Sequence, residues 1–323
     1  MPEVFYDPVM LVIAFGLDLA LRELPNRFHP TAWMGHTVSW AEKLSPSGPR
    51  ASLAAGVIIV ALVAGGWTLA AYFTVQGLRE INYWAYILVG AALLNTTFAI
   101  KMLGQASFRV RDLLMVNDLD QVRANMSSLV SRDPSNLTPE QAAAATVESV
   151  SENMSDGFIG PWLAFALFGL PGAAAYRAIN TLDSMIGYHG RYEYLGKAAA
   201  RFDDLVNLVP SRLTGLLLVV ASLFLPGQSP KQAWHIMWRD HSKTQSPNAG
   251  WPMSAMAGSL GIQLEKVTSS GESLYRLGGQ DRPEDHPVEH RHITRSVHAM
   301  YLVAGLGIIL VLGLTYIRAA FLW

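Results

Sequence analysis

Residues 52–73, which read SLAAGVIIVALVAGGWTLAAYF, decide the class of this protein. The stretch has no charged side chain, and it exceeds the roughly 20 apolar residues with which an α-helix crosses a bilayer. The whole chain of 323 residues is 51% hydrophobic and only 15% charged, whereas soluble domains carry about 25% charged residues. The sequence therefore predicts an integral membrane protein.

Three further stretches have the character of a membrane span. Residues 81–100 begin with three closely spaced aromatic side chains, which suit the membrane interface. Residues 299–317 form a third span, and the weaker stretch 8–24, which contains one aspartate, forms a fourth. We predict an all-α, polytopic membrane protein of about four spanning helices in one membrane-embedded domain over 1–323. Re-entrant or surface helices and a cytoplasmic helical active-site region complete this prediction.

Two shorter apolar runs, 159–170 and 213–225, are each followed by a Pro-Gly pair. Runs of about 10–14 residues are more often buried or re-entrant than spanning. If neither run spans, the polar regions 25–50 and 101–298 share one face of the membrane, and nearly all Lys and Arg lie there. The positive-inside rule makes that face cytoplasmic. We therefore expect a multi-pass protein of the cell (inner, cytoplasmic) membrane whose active site faces the cytoplasm.

Composition also excludes several functional classes. The formal net charge of −1 gives no basic field for nucleic acid, so no nucleic-acid partner is expected. The chain has no cysteine, which excludes disulfides, thiolate metal sites and cysteine nucleophiles. It also lacks the G-x-x-x-x-G-K-[ST] pattern of a P-loop. The partner that composition does predict is the lipid bilayer.

The stretch 147–158, VESVSENMSDGF, places negative charge directly before an apolar run. Upstream of it, Thr138 and Gln141 form the signature of a capping box, which predicts that a helix begins there. We expect this helix to continue through the acidic stretch and to end at Gly157.

On that helix three carboxylates stand at i, i+4 and i+8, with Asn153 one position round. They are Glu148, Glu152 and Asp156. Like charges at this spacing destabilise a helix by roughly 0.2–0.5 kcal/mol per pair unless a cation binds them. Mg²⁺ prefers carboxylate and amide oxygens of this kind. Taken alone, the stripe favours a solvated polar face.

Two later motifs again combine acidic residues with asparagine and arginine. In 176–188, YRAINTLDSMIGY, Asn180 and Asp183 share a helical face, and Arg177 suits a phosphate or carboxylate. In the stretch 200–212, two aspartates lie about one helical turn before an asparagine, and an arginine lies on each side of this group. The residues are Arg201, Asp203, Asp204, Asn207 and Arg212. Structural salt bridges explain one such cluster equally well, but three in one chain favour a metal–phosphate site.

Two turn-rich stretches add further polar groups. Residues 28–35, FHPTAWMG, include His29, an acid/base candidate. Residues 246–252, SPNAGWP, begin with Ser246 and expose backbone amides together with Asn248.

Together these motifs resemble those of the CbiB/CobD family. HPTAWMG, VESVSENMSDG, YRAINTLDSMIGY, ARFDDLVNLVPSRLT and SPNAGWPMSAMAGSLGIQL occur in the family's order and span most of the chain. The chain departs from the family pattern in three places. GLDLALRELP stands where the family has Gly-Asp-Pro, His189 replaces a lysine, and Glu265-Lys266 replaces Gly-Gly. These departures bear on which amino alcohol is the substrate.

The resemblance implies an adenosylcobinamide-phosphate synthase of cobalamin biosynthesis, a ligase that forms a carbon–nitrogen (amide) bond. Such enzymes join the corrinoid adenosylcobyric acid to (R)-1-amino-2-propanol or its O-phosphate, and they consume ATP with Mg²⁺. The product is adenosylcobinamide or its phosphate. Either a homo-oligomer or a complex with other late cobalamin-pathway membrane enzymes is compatible with this reading.

On this basis we assign roles to the polar residues. Those expected to act in catalysis are Glu148, Glu152, Asp183, Asp203 and Asp204. The expected Mg²⁺ ligands are the same five carboxylates and Asp156. The residues expected to bind substrates and phosphates are His29, Asn153, Arg177, Asn180, Tyr188, Arg201, Asn207, Arg212, Ser246 and Asn248.

Two alternatives stay open at this point. A membrane prenyltransferase-like enzyme also binds Mg²⁺ with a diphosphate, but it should have more spans and a longer apolar cavity than four helices supply. A non-catalytic AmpE-like signalling relative would share the fold, but it resembles these motifs poorly.

Overall fold

The computed structural model describes residues 1–21, 24–127, 129–130, 133–188, 190–267, 273–279 and 287–321. Regular structure in these residues is almost entirely helical. The α-helices are α1 (Tyr6–Ala20), α2 (Pro30–Lys43), α3 (Pro49–Ile81), α4 (Tyr83–Asn95), α5 (Ile100–Met115), α6 (Leu119–Met126), α7 (Pro139–Met154), α8 (Gly160–Ile186), α9 (Lys197–Val206), α10 (Leu208–Ser222), α11 (Pro230–Asp240), α12 (Gly250–Leu260) and α13 (His290–Phe321). The predicted all-α, polytopic class is confirmed. The departure at His189 lies outside the described residues.

Within the described residues, four helical stretches are long and apolar enough to cross a membrane. They are Pro49–Ile81, Tyr83–Met115, Pro139–Ile186 and His290–Phe321. Three of them contain the predicted spans 52–73, 81–100 and 299–317 almost entirely. The fourth predicted span, 8–24, is not among these four stretches, because α1 (Tyr6–Ala20) has only 15 residues. A helix of that length extends about 22 Å, short of the roughly 30 Å apolar core of a bilayer.

The chain divides into two compact units, each described here by itself. Unit 1 contains residues 1–99, 160–207 and 308–323, and unit 2 contains residues 100–159 and 208–307. Both units are therefore assembled from separate segments of the chain.

In unit 1, α8 is interrupted at Gly169, which has φ 66° and ψ −161°, two residues before Pro171. The run 159–170 was predicted to be buried or re-entrant and not to span. It lies instead within the helical stretch Pro139–Ile186, which is long and apolar enough to cross a membrane, and the helix breaks at Gly169 and then resumes. The break leaves backbone carbonyls of the preceding turn without helical partners. Arg318 of α13 donates a hydrogen bond from Nη1 to the carbonyl oxygen of Phe165 at 2.7 Å.

The charge of Arg318 is balanced inside unit 1. Its guanidinium forms an ion pair with the carboxylate of Asp7, which also accepts a hydrogen bond from the hydroxyl of Tyr86. All three side chains are buried. Since an isolated buried charge is costly whereas a paired one is tolerated, this group fixes the ends of α1, α4 and α13 against the break in α8.

In unit 2, α7 begins as the sequence predicts. The hydroxyl of Thr138 accepts from the amide of Gln141, and the side chain of Gln141 accepts from the amide of Thr138. The predicted end at Gly157 is wrong, because α7 passes through a π-helical turn over Ser155–Ile159 directly into α8. A π turn holds one extra residue, and such turns are frequent at functional sites.

The described residues include a two-stranded antiparallel hairpin that the sequence analysis missed. Strands β1 (Gln263–Val267) and β2 (Ser273–Gly278) pair antiparallel, with Lys266 opposite Tyr275. Asp240 anchors the hairpin by accepting from the amide of Gly278 at 2.9 Å. Burial alone would raise the pKa of Asp240, but hydrogen bonds from Arg239, Lys243 and this amide hold it below its ordinary value.

The core of unit 1 brings α3 close to the segment that leads into α9. Gly56 of α3 lies so near this segment that a Cβ atom there would meet the carbonyl oxygen of Leu195 at 2.1 Å. Around this contact, side chains of α2, α3, α8 and α9 form one buried cluster, which includes Val60, Leu182 and Ala199. The close approach therefore positions α8 and α9, which carry several of the predicted site residues.

We expect Gly56→Ala to lower the thermal stability of the protein in detergent. The added methyl group meets backbone rather than a flexible side chain, and such overpacking destabilises a protein by about 1–3 kcal/mol. The matched control is Gly66→Ala in the same helix, where the new Cβ has open space within 4 Å. Alanine is a better helix former than glycine, so the control should keep or raise the melting temperature. Equal losses in both variants would contradict the packing argument.

A second prediction concerns the start of α2, where His29 is the N-cap. Its Nδ1 accepts a hydrogen bond from the amide of Thr31 at 3.3 Å, which requires an unprotonated Nδ1. Burial, and secondarily the charge of Arg177, lower the pKa of His29 below its ordinary value. The stabilising contribution of neutral His29 is therefore complete above the unfolded pKa of about 6.5 and is lost as the pH falls through the lower folded pKa.

The measurement is the melting temperature of wild type and His29→Asn between about pH 5 and about pH 8. Asparagine also caps helices but does not titrate, so wild type should lose stability relative to this variant on acidification. A difference between the two that is independent of pH would show that His29 does not titrate in this way.

Candidate functional site

Four of the predicted site residues of unit 1 form, together with a tyrosine, a continuous hydrogen-bonded chain between α8 and α9. Tyr176 donates from its hydroxyl to Oδ1 of Asn207 at 2.5 Å, and Asn207 donates from Nδ2 to Oδ2 of Asp203 at 3.0 Å. On the other side, Arg177 donates to Oδ1 of Asn180 at 3.3 Å, and Asn180 donates to Oδ1 of Asp203 at 3.5 Å. We call these five residues the Asp203 chain.

Burial gives the Asp203 chain its chemical character. Asp203 is 9% exposed and Asn207 is 1% exposed, whereas Arg177 and Asn180 are half-buried. Both oxygens of the Asp203 carboxylate accept amide hydrogen bonds, which favour its charged form. The arginine of the chain thus lies on its more open side, where a ligand can reach it.

The two asparagines of the chain contact the Asp203 carboxylate. Asn180 and Asn207, which we expect to bind substrates, each donate a hydrogen bond from the side-chain amide to Asp203. Tyr176, which the sequence analysis did not select, holds Asn207 in turn. The signal that could have identified Tyr176 is its position one residue before Arg177 at the start of the motif.

The remaining predicted residues of unit 1 lie around this chain. Asp183 is half-buried, and glycine at position 187 makes room for it, because a Cβ there would lie 2.0 Å from its Oδ1. Asp204 is half-buried on α9, while Arg201 and Tyr188 are exposed. His29 interacts electrostatically with Arg177, and both burial and that charge lower the pKa of His29.

In unit 2 a second group brings together Arg212, Ser246 and Asn248. The guanidinium of Arg212 donates to Oδ1 of Asn248 at 2.8 Å and lies over the ring of Trp251. The hydroxyl of Ser246 accepts from the backbone amide of Asn248 at 3.2 Å, which fixes the turn. The prediction that this turn exposes Asn248 is wrong, because Asn248 is only 6% exposed and its Oδ1 accepts the hydrogen bond from Arg212.

The acidic stripe of α7, also in unit 2, does not line one site as a whole: two of its three carboxylates line a cavity and the third does not. Glu148 and Glu152 line one cavity with Ser149, and Lys266 and Tyr275 of the hairpin line the same cavity. Asn153, in contrast, donates back to the carbonyl oxygen of Ser149 on its own helix at 2.9 Å. Asp156 belongs to the π-helical turn and is not among the residues that line the cavity.

The structure also bears on metal binding. In the part of the chain that it describes, no group of three or more His, Cys, Asp or Glu side chains is arranged to hold a metal ion. Mg²⁺ is commonly held by one or two carboxylates and completed by substrate phosphates and water, rather than by an all-protein cage. The donors of the Asp203 chain, which are carboxylate and amide oxygens, fit that second mode of binding.

Comparison with known proteins identifies the same family as the sequence motifs. The model of the family described as CobD/Cbib protein matches residues 11–300. A protein of Dehalococcoides mccartyi named "Cobalamin biosynthesis protein CobD" is 44% identical over 85% of this chain and 88% of its own length. One of the same name from Rhodobacter capsulatus is 39% identical over 97% and 98% of the two chains.

A "Probable cobalamin biosynthesis protein CobD" of Methanothermobacter thermautotrophicus is 38% identical over 80% of this chain and 84% of its own. No solved structure gives a significant match. The family match covers far more than half of the sequence and includes every motif that supplies the polar groups described above. This membrane protein therefore belongs to the CobD/CbiB family.

Proposed function

We propose that this protein is an ATP-dependent ligase of cobalamin biosynthesis, an adenosylcobinamide-phosphate synthase. It joins adenosylcobyric acid to (R)-1-amino-2-propanol or its O-phosphate through a new amide bond. The observation that carries the proposal is the Asp203 chain, a buried carboxylate linked to an arginine, in a chain that belongs to this family. Family membership also favours this proposal over the prenyltransferase-like alternative.

The reaction explains why such groups are needed. A carboxylate is a poor acyl donor, because its leaving group would be an oxide ion. In the proposed mechanism a carboxylate oxygen of the corrinoid side chain attacks the γ-phosphorus of ATP. The acyl phosphate forms as ADP leaves. The amine nitrogen then attacks the acyl carbon, inorganic phosphate leaves, and the amine loses a proton. Charge accumulates on phosphate oxygens in the first step, and fixed cationic groups stabilise it.

Each residue of unit 1 has a role in this proposal. Arg177, at the open end of the Asp203 chain, binds phosphate oxygens through its guanidinium. Asp203 would hold Mg²⁺, assisted by Asp183 and Asp204, and the bound ion would neutralise phosphate charge. Asn180 and Asn207 keep the Asp203 carboxylate oriented and charged. Tyr176 acts through Asn207 as a positioning residue.

The Arg212–Asn248 pair of unit 2 suits a second anionic group. A guanidinium held over an aromatic ring and fixed by an amide oxygen keeps one orientation, which favours binding of a planar or tetrahedral oxyanion. We assign this pair to substrate binding. By the positive-inside rule we infer that the side of the protein that is rich in Lys and Arg faces the cytoplasm, where ATP is available.

We expect Asp203→Asn to reduce kcat/KM for amide formation by about 10²–10³ with little change in melting temperature. Asparagine preserves the size of the side chain but removes the charge, and losses of this size are typical when one fixed charge-stabilising group is removed. The assay is formation of the corrinoid amide and of ADP by purified protein with Mg²⁺, ATP and both substrates.

The matched control is Asp120→Asn, whose side chain is 99% exposed on α6 and lies 3.9 Å from Arg123 in an ion pair. This control should retain full activity. If wild type consumes no ATP and forms no amide, the proposed function is wrong. If both variants are fully active, the assignment of Asp203 is wrong although the reaction stands.

A further inference from the structure

α7 and the hairpin line a cavity whose residues have no role in the proposed mechanism. Its polar lining comes from Glu148, Ser149 and Glu152 on the helix and from Lys266 and Tyr275 on the hairpin. Leu129, Val130 and Ala145 supply the apolar part of the wall. All of these residues belong to unit 2.

The register of the hairpin determines which charges face this cavity. Lys266 lies directly opposite Tyr275 across the ladder, and the next pair along is Glu265 with Arg276. Successive side chains of a strand point to opposite faces, so these two pairs point in opposite directions. Arg276 is already neutralised by Glu265 at 2.9 Å, which leaves Lys266 as the hairpin's cation in the cavity.

The size of the cavity limits what it can hold. Its volume is about 90 Å³. A single water requires about 10–15 Å³ on the same scale, so the cavity has room for about six to nine water-sized groups. A nucleotide or a corrin ring is far larger than this. The space within the cavity therefore suits a small molecule of about ten non-hydrogen atoms, and its open side continues into solvent.

The charges of the lining limit the ligand further. Two carboxylates four residues apart on one helix favour a cation between them. A dication is disfavoured, however, by the ammonium group of Lys266, which interacts electrostatically with Glu152. A ligand that carries a positive group at one end and a negative group at the other satisfies both sides at once. The phenol hydroxyl of Tyr275 can add a hydrogen bond to the negative end.

We propose that this cavity binds a small zwitterion, with its ammonium group at Glu148 and Glu152 and its anionic group at Lys266 and Tyr275. The inference rests on the proposed function for the identity of the ligand, which would be the amine substrate in the form of its phosphate ester. Lys266 and Tyr275 then determine specificity, because they distinguish the phosphate ester from the free amino alcohol.

The test is direct binding to the full-length protein in detergent micelles, measured by titration calorimetry without ATP or corrinoid. The probes are 1-amino-2-propanol O-phosphate, 1-amino-2-propanol and inorganic phosphate. Wild type should bind the phosphate ester at least about tenfold more tightly than either other probe, since a charge-assisted hydrogen bond contributes about 1.5–3 kcal/mol. Equal affinity for the free amine and its ester would overturn the proposal.

Variants identify the residues. Lys266→Met should weaken binding of the ester by about 10- to 100-fold and leave the free amine within about twofold, since only the ester uses the ammonium group. Lys266→Arg keeps the charge and should recover most of the affinity. Glu152→Gln should weaken the ester and the amine alike. Arg276→Met is the matched control, because it removes a cation from the opposite face of the same hairpin and should change neither affinity.

The outcomes separate this inference from the proposed function. Similar losses in Lys266→Met and Arg276→Met would show that the hairpin acts only through general charge or stability, and would overturn the inference. Melting temperatures of all variants exclude unfolding as the cause. If the ester binds as described but no amide forms with ATP and corrinoid, the cavity stands and the reaction is wrong. If amide forms but binding of the ester does not depend on Lys266, the proposed reaction stands and the inference about the cavity is wrong.

Discussion

The contact between Arg318 and the carbonyl oxygen of Phe165 supports the rest of unit 1. A helix that breaks within an apolar segment exposes carbonyl groups, and each unsatisfied group in a lipid environment costs several kcal/mol. Arg318 satisfies one of them, and Asp7 neutralises the arginine. The break at Gly169 is thereby stable, and the second half of α8 takes its own direction. That half carries Arg177 and Asn180, so an interaction far along the helix positions the Asp203 chain.

The Asp203 chain illustrates how a buried charge can be kept ready for a ligand. A buried carboxylate without partners is costly, and here an amide donor lies at each of its two oxygens. These amides are fixed in turn by a phenol and a guanidinium, so their orientation does not have to be found when a ligand arrives. Asn180 and Asn207 thus orient the Asp203 carboxylate as well as being predicted to bind substrates.

Local signals in the sequence were reliable, whereas contacts between distant segments could not be predicted. The capping box of Thr138 and Gln141 and the three long apolar spans depend on neighbouring residues, and the structure has them. The stripe of Glu148, Glu152 and Asp156 was only partly right, because the π-helical turn adds a residue that ordinary helical spacing omits. Lys266 and Tyr275 were missed, since their position depends on how a hairpin packs against a helix more than a hundred residues earlier in the chain.

The alternation of side chains along β1 has an evolutionary consequence. Glu265 and Lys266 are neighbours of opposite charge, and the hairpin turns one of them toward α7 and the other away. Inserting one residue between α12 and the hairpin would move Glu265 to the position that Lys266 now occupies. The cavity would then receive an acid in place of a base, while every residue of α7 stayed the same. A family built on this scaffold can thus reverse the charge preference of the cavity through the length of one short connection.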